Sequence, residues 1–368
     1  MKIAIISLLY PPKWVGGTEI ATHDIAESFT GRKHEVHIIT SWDSGLLKIQ
    51  QESGFTIHRI HVPRIRFLEL ISFWIKIPKE IKSINPDVML IQSIPTGLGG
   101  YLAKKQTGIP YIVWGQGSDV YQYWLFKKIV SHLVLKNEDM FIALTHHMEN
   151  TVNKLGAKHI SVIPNGTQIN KYTNLSDFPW RKELNIQDNE KVILFVGGLK
   201  IIKGLRYLIE AMSEVIKYYP DTKLVLAGSG PELNNLTLQV EKHNLTKNVL
   251  FLGGVNHDKI PGVMSAADIF VLPSLSEGFP LVAVEAMASG LPIIATAVGG
   301  LPEIVKEGET GFLVPSQDSK QLAQRIIRLI DDNKLRQTMR ANAIALAKYY
   351  DWDNIALKLE KLLMDTLD

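Results

Sequence analysis

Two carboxylates eight positions apart carry the clearest chemical signal in the chain. Glu277 and Glu285 lie in A-D-I-F-V-L-P-S-L-S-E-G-F-P-L-V-A-V-E-A-M-A-S-G-L-P-I-I-A-T, residues 267 to 296. With Glu277 in a loop and Glu285 in the second turn of the helix that follows, both would border one cleft. The helix N-terminus, nearer the first, favours an anion such as phosphate. Glutamates in loops and on short helices are ordinarily solvated, but every neighbour of Glu285 is apolar or small, which leaves little polar face for it to join.

Glycine pairs recur after apolar runs: Gly16-Gly17, Gly197-Gly198 ahead of Lys203-Gly204, and Gly299-Gly300. Such turns let backbone N–H groups approach a phosphate, and a lysine at a helix start neutralises its charge. Ordinary turn chemistry explains the same glycines, and the first pair does not complete a G-x-G-x-x-G fingerprint. Trp114-Gly115-Gln116-Gly117-Ser118-Asp119 offers Gln116, a hydrogen-bonding side chain that does not titrate, and Asp119, a helix cap or a ligand contact. His146 and His147 are adjacent on a helix, point apart and have no i, i+4 partner, so no metal site is expected there.

The elements that must position these residues read as short apolar runs between Gly and Pro. Asp268–Leu272 and Leu291–Ala295 have the pattern of strands buried on both faces of a parallel sheet, with Leu281–Ser289 a helix between them. That unit opens its loop at the carboxyl end of the first strand, where open α/β sheets bind ligands. Further strands are expected near Met1–Leu9, Glu35–Thr40, Thr56–His61, Asp87–Gln92, Tyr111–Trp114, Met140–Leu144, Lys191–Val196, Lys223–Ala227 and Val249–Leu252, alternating with helices as in a doubly wound sheet. Past Val314 the pattern is helical, through 320–331, 335–349 and 353–367.

At 368 residues the chain is too long for one ordinary core. It has no cysteine, which excludes disulfides, thiolate metal sites and a cysteine nucleophile. Residues 1–168 hold 18 Lys and Arg against 13 Asp and Glu, and the remainder 22 against 24. That bias suits an anionic surface or acceptor and is too weak for nucleic acid. Residues 64–82, R-I-R-F-L-E-L-I-S-F-W-I-K-I-P-K-E-I-K, are apolar nearly all round with basic flanks. They form either a helix sandwiched in the core or one lying in a membrane interface. Residues 121–136, opening Tyr121-Gln122-Tyr123-Trp124-Leu125-Phe126-Lys127-Lys128, have the same flavour.

E-G-F-P-L-V-A-V-E, followed by A-M-A-S-G-L-P-I-I-A-T and G-G-L-P-E-I-V, resembles the signature of retaining glycosyltransferases of family 4, whose fold is GT-B. The resemblance spans nearly the whole chain and is most specific from Val249 to Pro315. It implies an α/β architecture of two Rossmann-like, doubly wound domains facing a cleft. Residues 1–168 would form the acceptor domain, 169–350 the nucleotide-sugar donor domain, and 351–368 a terminal helix crossing back to the first.

By the same resemblance Glu277 approaches the donor sugar and Glu285 the ribose hydroxyls. Lys203 meets the leaving diphosphate, and Gly16 and Gly17 face the donor phosphates and the acceptor. Val255 lies near the base, and Gly278, Phe279, Leu281 and Gly299 complete the donor site. Two positions depart from the family pattern: Gln116, which the resemblance places among the catalytic residues, stands where a histidine beside the donor sugar is usual, and Gly198 where an arginine is usual, with Lys200 nearby to compensate.

The implied substrates are a nucleoside-diphosphate sugar, UDP-sugar ahead of GDP-sugar, and a glycan or lipid-linked acceptor. No metal or further cofactor is expected. The implied location is cytoplasmic, peripheral on the inner face of a membrane through 64–82 and 121–136. The rival readings are a non-catalytic nucleotide-sugar-binding homologue and a nucleotide-sugar epimerase on the same fold.

Overall fold

A computed structural model describes residues 1–12, 16–121, 125–173 and 180–367. The chain divides into two compact units, Met1–Thr167 with Trp352–Asp368, and Gln168–Asp351.

The first unit holds eight strands: β1 (Lys2–Ile6), β2 (Glu35–Ser41), β3 (Ile49–Glu52), β4 (Phe55–Ile60), β5 (Val88–Gln92), β6 (Tyr111–Trp114), β7 (Met140–Ala143) and β8 (Ile160–Val162). Their order is β3-β4-β2-β1-β5-β6-β7-β8. All neighbours are parallel except β3 with β4. Ile3 to Ile6 and Val88 to Ile91 are fully buried, as strands covered on both faces must be. The sequence reading missed β3, whose residues are Ile49-Gln50-Gln51-Glu52. It forms because Ser53 and Gly54 both have positive φ and close a two-residue hairpin turn that pairs Glu52 with Phe55.

Helix α1 (Gly17–Gly31) follows β1, α2 (Arg66–Ile84) follows β4, and α3 (Ile94–Thr107) follows β5. Helix α2 is neither sandwiched nor free. Phe73, Trp74, Ile77, Ile81 and Ile84 are buried, and Gly99 of α3 lets that face pack closely, since a Cβ there would collide with Ile77. Phe67, Leu68, Ile71 and Ile75 stay exposed, Ile75 at 67%. Of the second basic-aromatic stretch, residues 122–124 lie outside the described residues, and the chain continues as the helix Leu125–Asn137.

The second unit holds β9 (Val192–Val196), β10 (Lys223–Ala227), β11 (Val249–Gly253), β12 (Ile269–Leu272), β13 (Ile293–Thr296) and β14 (Gly311–Val314), in the order β11-β10-β9-β12-β13-β14 and parallel throughout. The expected strand, loop, helix, strand unit is β12, the helix Leu281–Ala288 and β13. The sequence reading did not assign β14.

The terminal helix Trp352–Leu367 returns to the first unit. Trp352 donates its indole N–H to Asp24 at 2.9 Å, and its ring occupies the space that a Cβ on Gly166 would fill. Arg32 and His34 both bond Glu360 of this helix. Among the described residues no helix is long and apolar enough to cross a membrane.

Candidate functional site

Each sheet reverses its winding once, and at that reversal the two outgoing loops part and leave a crevice at the carboxyl ends of the strands. In the second unit the reversal falls between β9 and β12. The loop after β9 turns through Gly197, at φ +151°, and ends at Gly204, at φ +64°. A side chain at Gly204 would collide with the Pro273 carbonyl of the loop after β12, so glycine there lets the two loops touch. Leu275 N–H bonds the Ile202 carbonyl at 2.8 Å and fixes their register.

Lys203 and Glu277 meet across this junction, Nζ to Oε1 at 2.6 Å. Ser274, fully buried, donates its hydroxyl to the same oxygen at 2.7 Å. Its carbonyl in turn accepts from the Thr296 hydroxyl at the end of β13. Glu277 is only 9% exposed. Oε1 carries both bonds, and Oε2 carries no hydrogen bond among the described residues. Gly299, at φ +55°, lies so close over the loop that a Cβ would strike the Glu277 carbonyl oxygen. Glu277, Lys203 and Gly299 therefore come together, around one carboxylate whose direction three elements set.

Glu285 is 5% exposed and accepts from His257 Nε2 at 3.0 Å. His257, on the short turn after β11, was not singled out by sequence reasoning, nor was Ser274. Ser274 is marked by its burial and His257 by its contact with Glu285, neither of which a single sequence displays. Phe279 and Leu281 are buried, Phe279 against the Tyr350 ring at 5.9 Å between centroids, so they offer a ligand their backbone. Gly278 lies in the same turn, and Val255 is half-buried beyond β11. The stem of Lys200 packs beside Gly198: a Cβ there would sit in ordinary contact, 3.6 Å from its Cε and 3.8 Å from its Cγ. The Lys200 ammonium makes no hydrogen bond or ion pair among the described residues.

In the first unit the reversal falls between β1 and β5. A pocket of about 300 Å³ opens there, lined by residues that include Leu9, Glu19, Gln92, Gln116 and Asp119. Gln116 is held at both ends of its amide: Asn165 donates to Oε1 at 3.1 Å, and Nε2 donates to Gln92 Oε1 at 2.5 Å. Asp119 does not cap its own helix. Its two oxygens accept from Ile94 N–H at the start of α3, at 3.0 Å, and from Gln116 N–H, at 2.9 Å. Burial raises its carboxyl above the usual range, against those backbone donors. Gly16 precedes α1, and a Cβ there would lie 2.7 Å from the carboxylate of Glu19. Gly17 is the first residue of that helix. Among the described residues no cluster of three His, Cys, Asp or Glu side chains is placed to hold a metal ion.

The two halves match separate family models, glycosyltransferase family 4 over residues 15–171 and glycosyl transferases group 1 over residues 176–346. An uncharacterized glycosyltransferase of Methanocaldococcus jannaschii is 30% identical over 97% of this chain and 96% of its own length. Among solved structures, sucrose-phosphate synthase from Thermosynechococcus elongatus superposes with a TM-score of 0.89, at 26% identity over 99% of this chain and 98% of that one. An Anabaena protein in complex with UDP does so at 0.85, with 25% identity over 99% and 100%. A match of that extent, joined to two parallel-sheet units each with its own reversal point, makes this chain a glycosyltransferase of the family 4 type with the GT-B fold.

Proposed function

We propose that the chain moves a sugar from a UDP-sugar to an acceptor hydroxyl with retention of the anomeric configuration, using the β9/β12 junction for the donor. The observation that carries this is the Lys203–Glu277 pair, which joins the two loops at the reversal point of the sheet, where open α/β sheets take ligands. The Anabaena neighbour has also been solved with UDP-glucose, which supports a uridine donor.

In this reading Glu277 Oε2 accepts from a sugar hydroxyl. Glu285, oriented by His257, takes the ribose hydroxyls, while the backbone of Gly278, Phe279, Leu281 and Gly299 lines the diphosphate and Val255 the base. As the glycosidic bond lengthens, charge collects on the departing diphosphate and the sugar gains oxocarbenium character. Lys203 and the N-terminus of the helix Leu281–Ala288 supply positive potential where that charge develops. Lys200, whose stem lies beside Gly198, adds a second cation. The acceptor hydroxyl attacks from the face the diphosphate leaves, and a phosphate oxygen takes its proton.

Gly16, Gly17 and Gln116 then belong to the acceptor side. The exposed Phe67, Leu68, Ile71 and Ile75 on α2, flanked by Arg64, Lys76, Lys79 and Lys82, suit a lipid-linked acceptor at an anionic membrane surface. Leu70 of the same helix lines the pocket of the first unit.

The test is release of the nucleoside diphosphate from a panel of UDP- and GDP-sugars, with product mass recorded. Free nucleoside diphosphate with a glycosylated product is the expected result. An altered sugar still bound to its nucleotide would indicate epimerisation, and tight UDP binding without turnover on any acceptor would indicate a binding protein. Sedimentation with anionic vesicles at low salt tests the membrane contact; protein that stays in the supernatant removes it.

A further inference from the structure

We propose that the pocket at the β1/β5 reversal is a subsite for a neutral hydroxyl of the acceptor, gripped between the Gln92 amide and the Glu19 carboxylate. The inference rests on the glycosyl-transfer reading and narrows its acceptor to one whose end group carries hydroxyls without phosphate or carboxylate.

The argument begins with a relay of three amides. Asn165 bonds Gln116, Gln116 bonds Gln92, and the chain stops there: Gln92 is 2% exposed, and its Nε2 has no partner among the described residues. Leaving a buried amide unpaired costs on the order of 1–3 kcal/mol, and this one lines a pocket of ligand size. The three amides can reverse together, which would present an oxygen instead of an NH₂ at the Gln92 end. A hydroxyl both donates and accepts, so it satisfies that end in either orientation.

Charge supplies the second half. The pocket wall carries two carboxyl groups, Glu19 from the first turn of α1 and Asp119 beyond β6, and no Lys, Arg or His among its described lining residues. Asp119 is occupied by two backbone N–H groups. Glu19 is folded back towards its own helix start, beside Gly16, where burial raises its carboxyl and the backbone N–H groups of Glu19 and Gly16 oppose the rise. An anionic group inserted here would face like charge in a partly desolvated site. A hydroxyl instead gives Glu19 a donor. Leu8, Leu9, Leu70 and Pro95 complete the wall with apolar surface suited to the carbon face of a sugar ring.

Saturation-transfer NMR on the full chain with saturating UDP tests this, using methyl α-D-glucopyranoside as the neutral probe and glucose 6-phosphate as the anionic one. The wild type is expected to bind the phosphate about tenfold more weakly than the glycoside. Glu19→Gln, close to isosteric, narrows that gap, and Gln92→Leu weakens the glycoside several-fold. Equal or tighter binding of glucose 6-phosphate overturns the proposal, as does unchanged glycoside binding together with an unchanged gap in Glu19→Gln. Should Gln92→Leu fail to fold, Glu19→Gln decides alone. UDP binding, followed in the same samples, separates the two levels: loss of UDP binding in the wild type defeats the glycosyl-transfer reading, whereas UDP binding without glycoside binding defeats only this subsite.

Discussion

Replacing Glu277 separates positioning from chemistry, because its two oxygens have different work. Oε1 accepts from Lys203 and from Ser274, and in the proposed reading Oε2 accepts from the donor sugar. Glu277→Ala removes both bonds. The Ser274 hydroxyl is fully buried and loses its acceptor, at about 1–3 kcal/mol, while Lys203, a quarter exposed, rehydrates at little cost. For a unit of this size that corresponds to a fall in Tm of roughly 2–12 °C. Glu277→Gln keeps an oxygen in the Oε1 position and so keeps the loop and the melting temperature. It places an NH₂ where the sugar hydroxyl needs an acceptor. Turnover should fall by about 10²–10³, as when one transition-state hydrogen bond is lost. The assay pairs UDP release, on whichever UDP-sugar the wild type uses fastest, with thermal melts and UDP calorimetry. A Glu277→Gln enzyme that melts like the wild type, binds UDP and turns over near the wild-type rate would refute the role of Oε2.

Three further outcomes follow from the same geometry. Lys203→Met should lower turnover by about a hundredfold and Lys200→Met by roughly two- to five-fold, as fits an exposed cation; equal losses in steady-state kinetics would contradict this ranking. Gly299→Ala forces a Cβ into the Glu277 carbonyl at a φ of +55° and should cost at least about 1–3 kcal/mol by denaturant titration, with donor affinity lost alongside. Burial opposes ionisation of Glu360, but hydrogen bonds from Arg32 and His34 prevail and hold its carboxyl below the usual range. Its stabilisation is therefore present above the ordinary carboxylate range and fades as pH falls through the depressed value. Glu360→Gln should lower Tm at neutral pH by a few degrees and leave it unchanged in strong acid.

The parallel core was legible because strands buried on both faces are continuous apolar runs, and the β12-to-β13 unit lies within two residues of its expected bounds at every end. Strand β3 escaped because Gln50 and Gln51 break any apolar pattern; a hairpin turn, not burial, makes that strand. The carboxylates Glu277 and Glu285 stood out by chemistry and spacing, but their partners did not. Ser274 and His257 acquire meaning only when folding supplies neighbours, and the amide relay joins residues 24 and 49 positions apart. Lys200 was visible as a lysine, yet its place beside Gly198 is a property of the turn, which no spacing rule records.

The chain leaves the first unit at Thr167 and re-enters it at Trp352, and the amide of the second bonds the carbonyl of the first. During synthesis the inserted segment is therefore finished on the ribosome while the earlier portion still lacks its last helix, with the face of α1 that packs against that helix waiting for cover. Removing the helix Trp352–Leu367 would consequently damage the unit begun first and spare the inserted one.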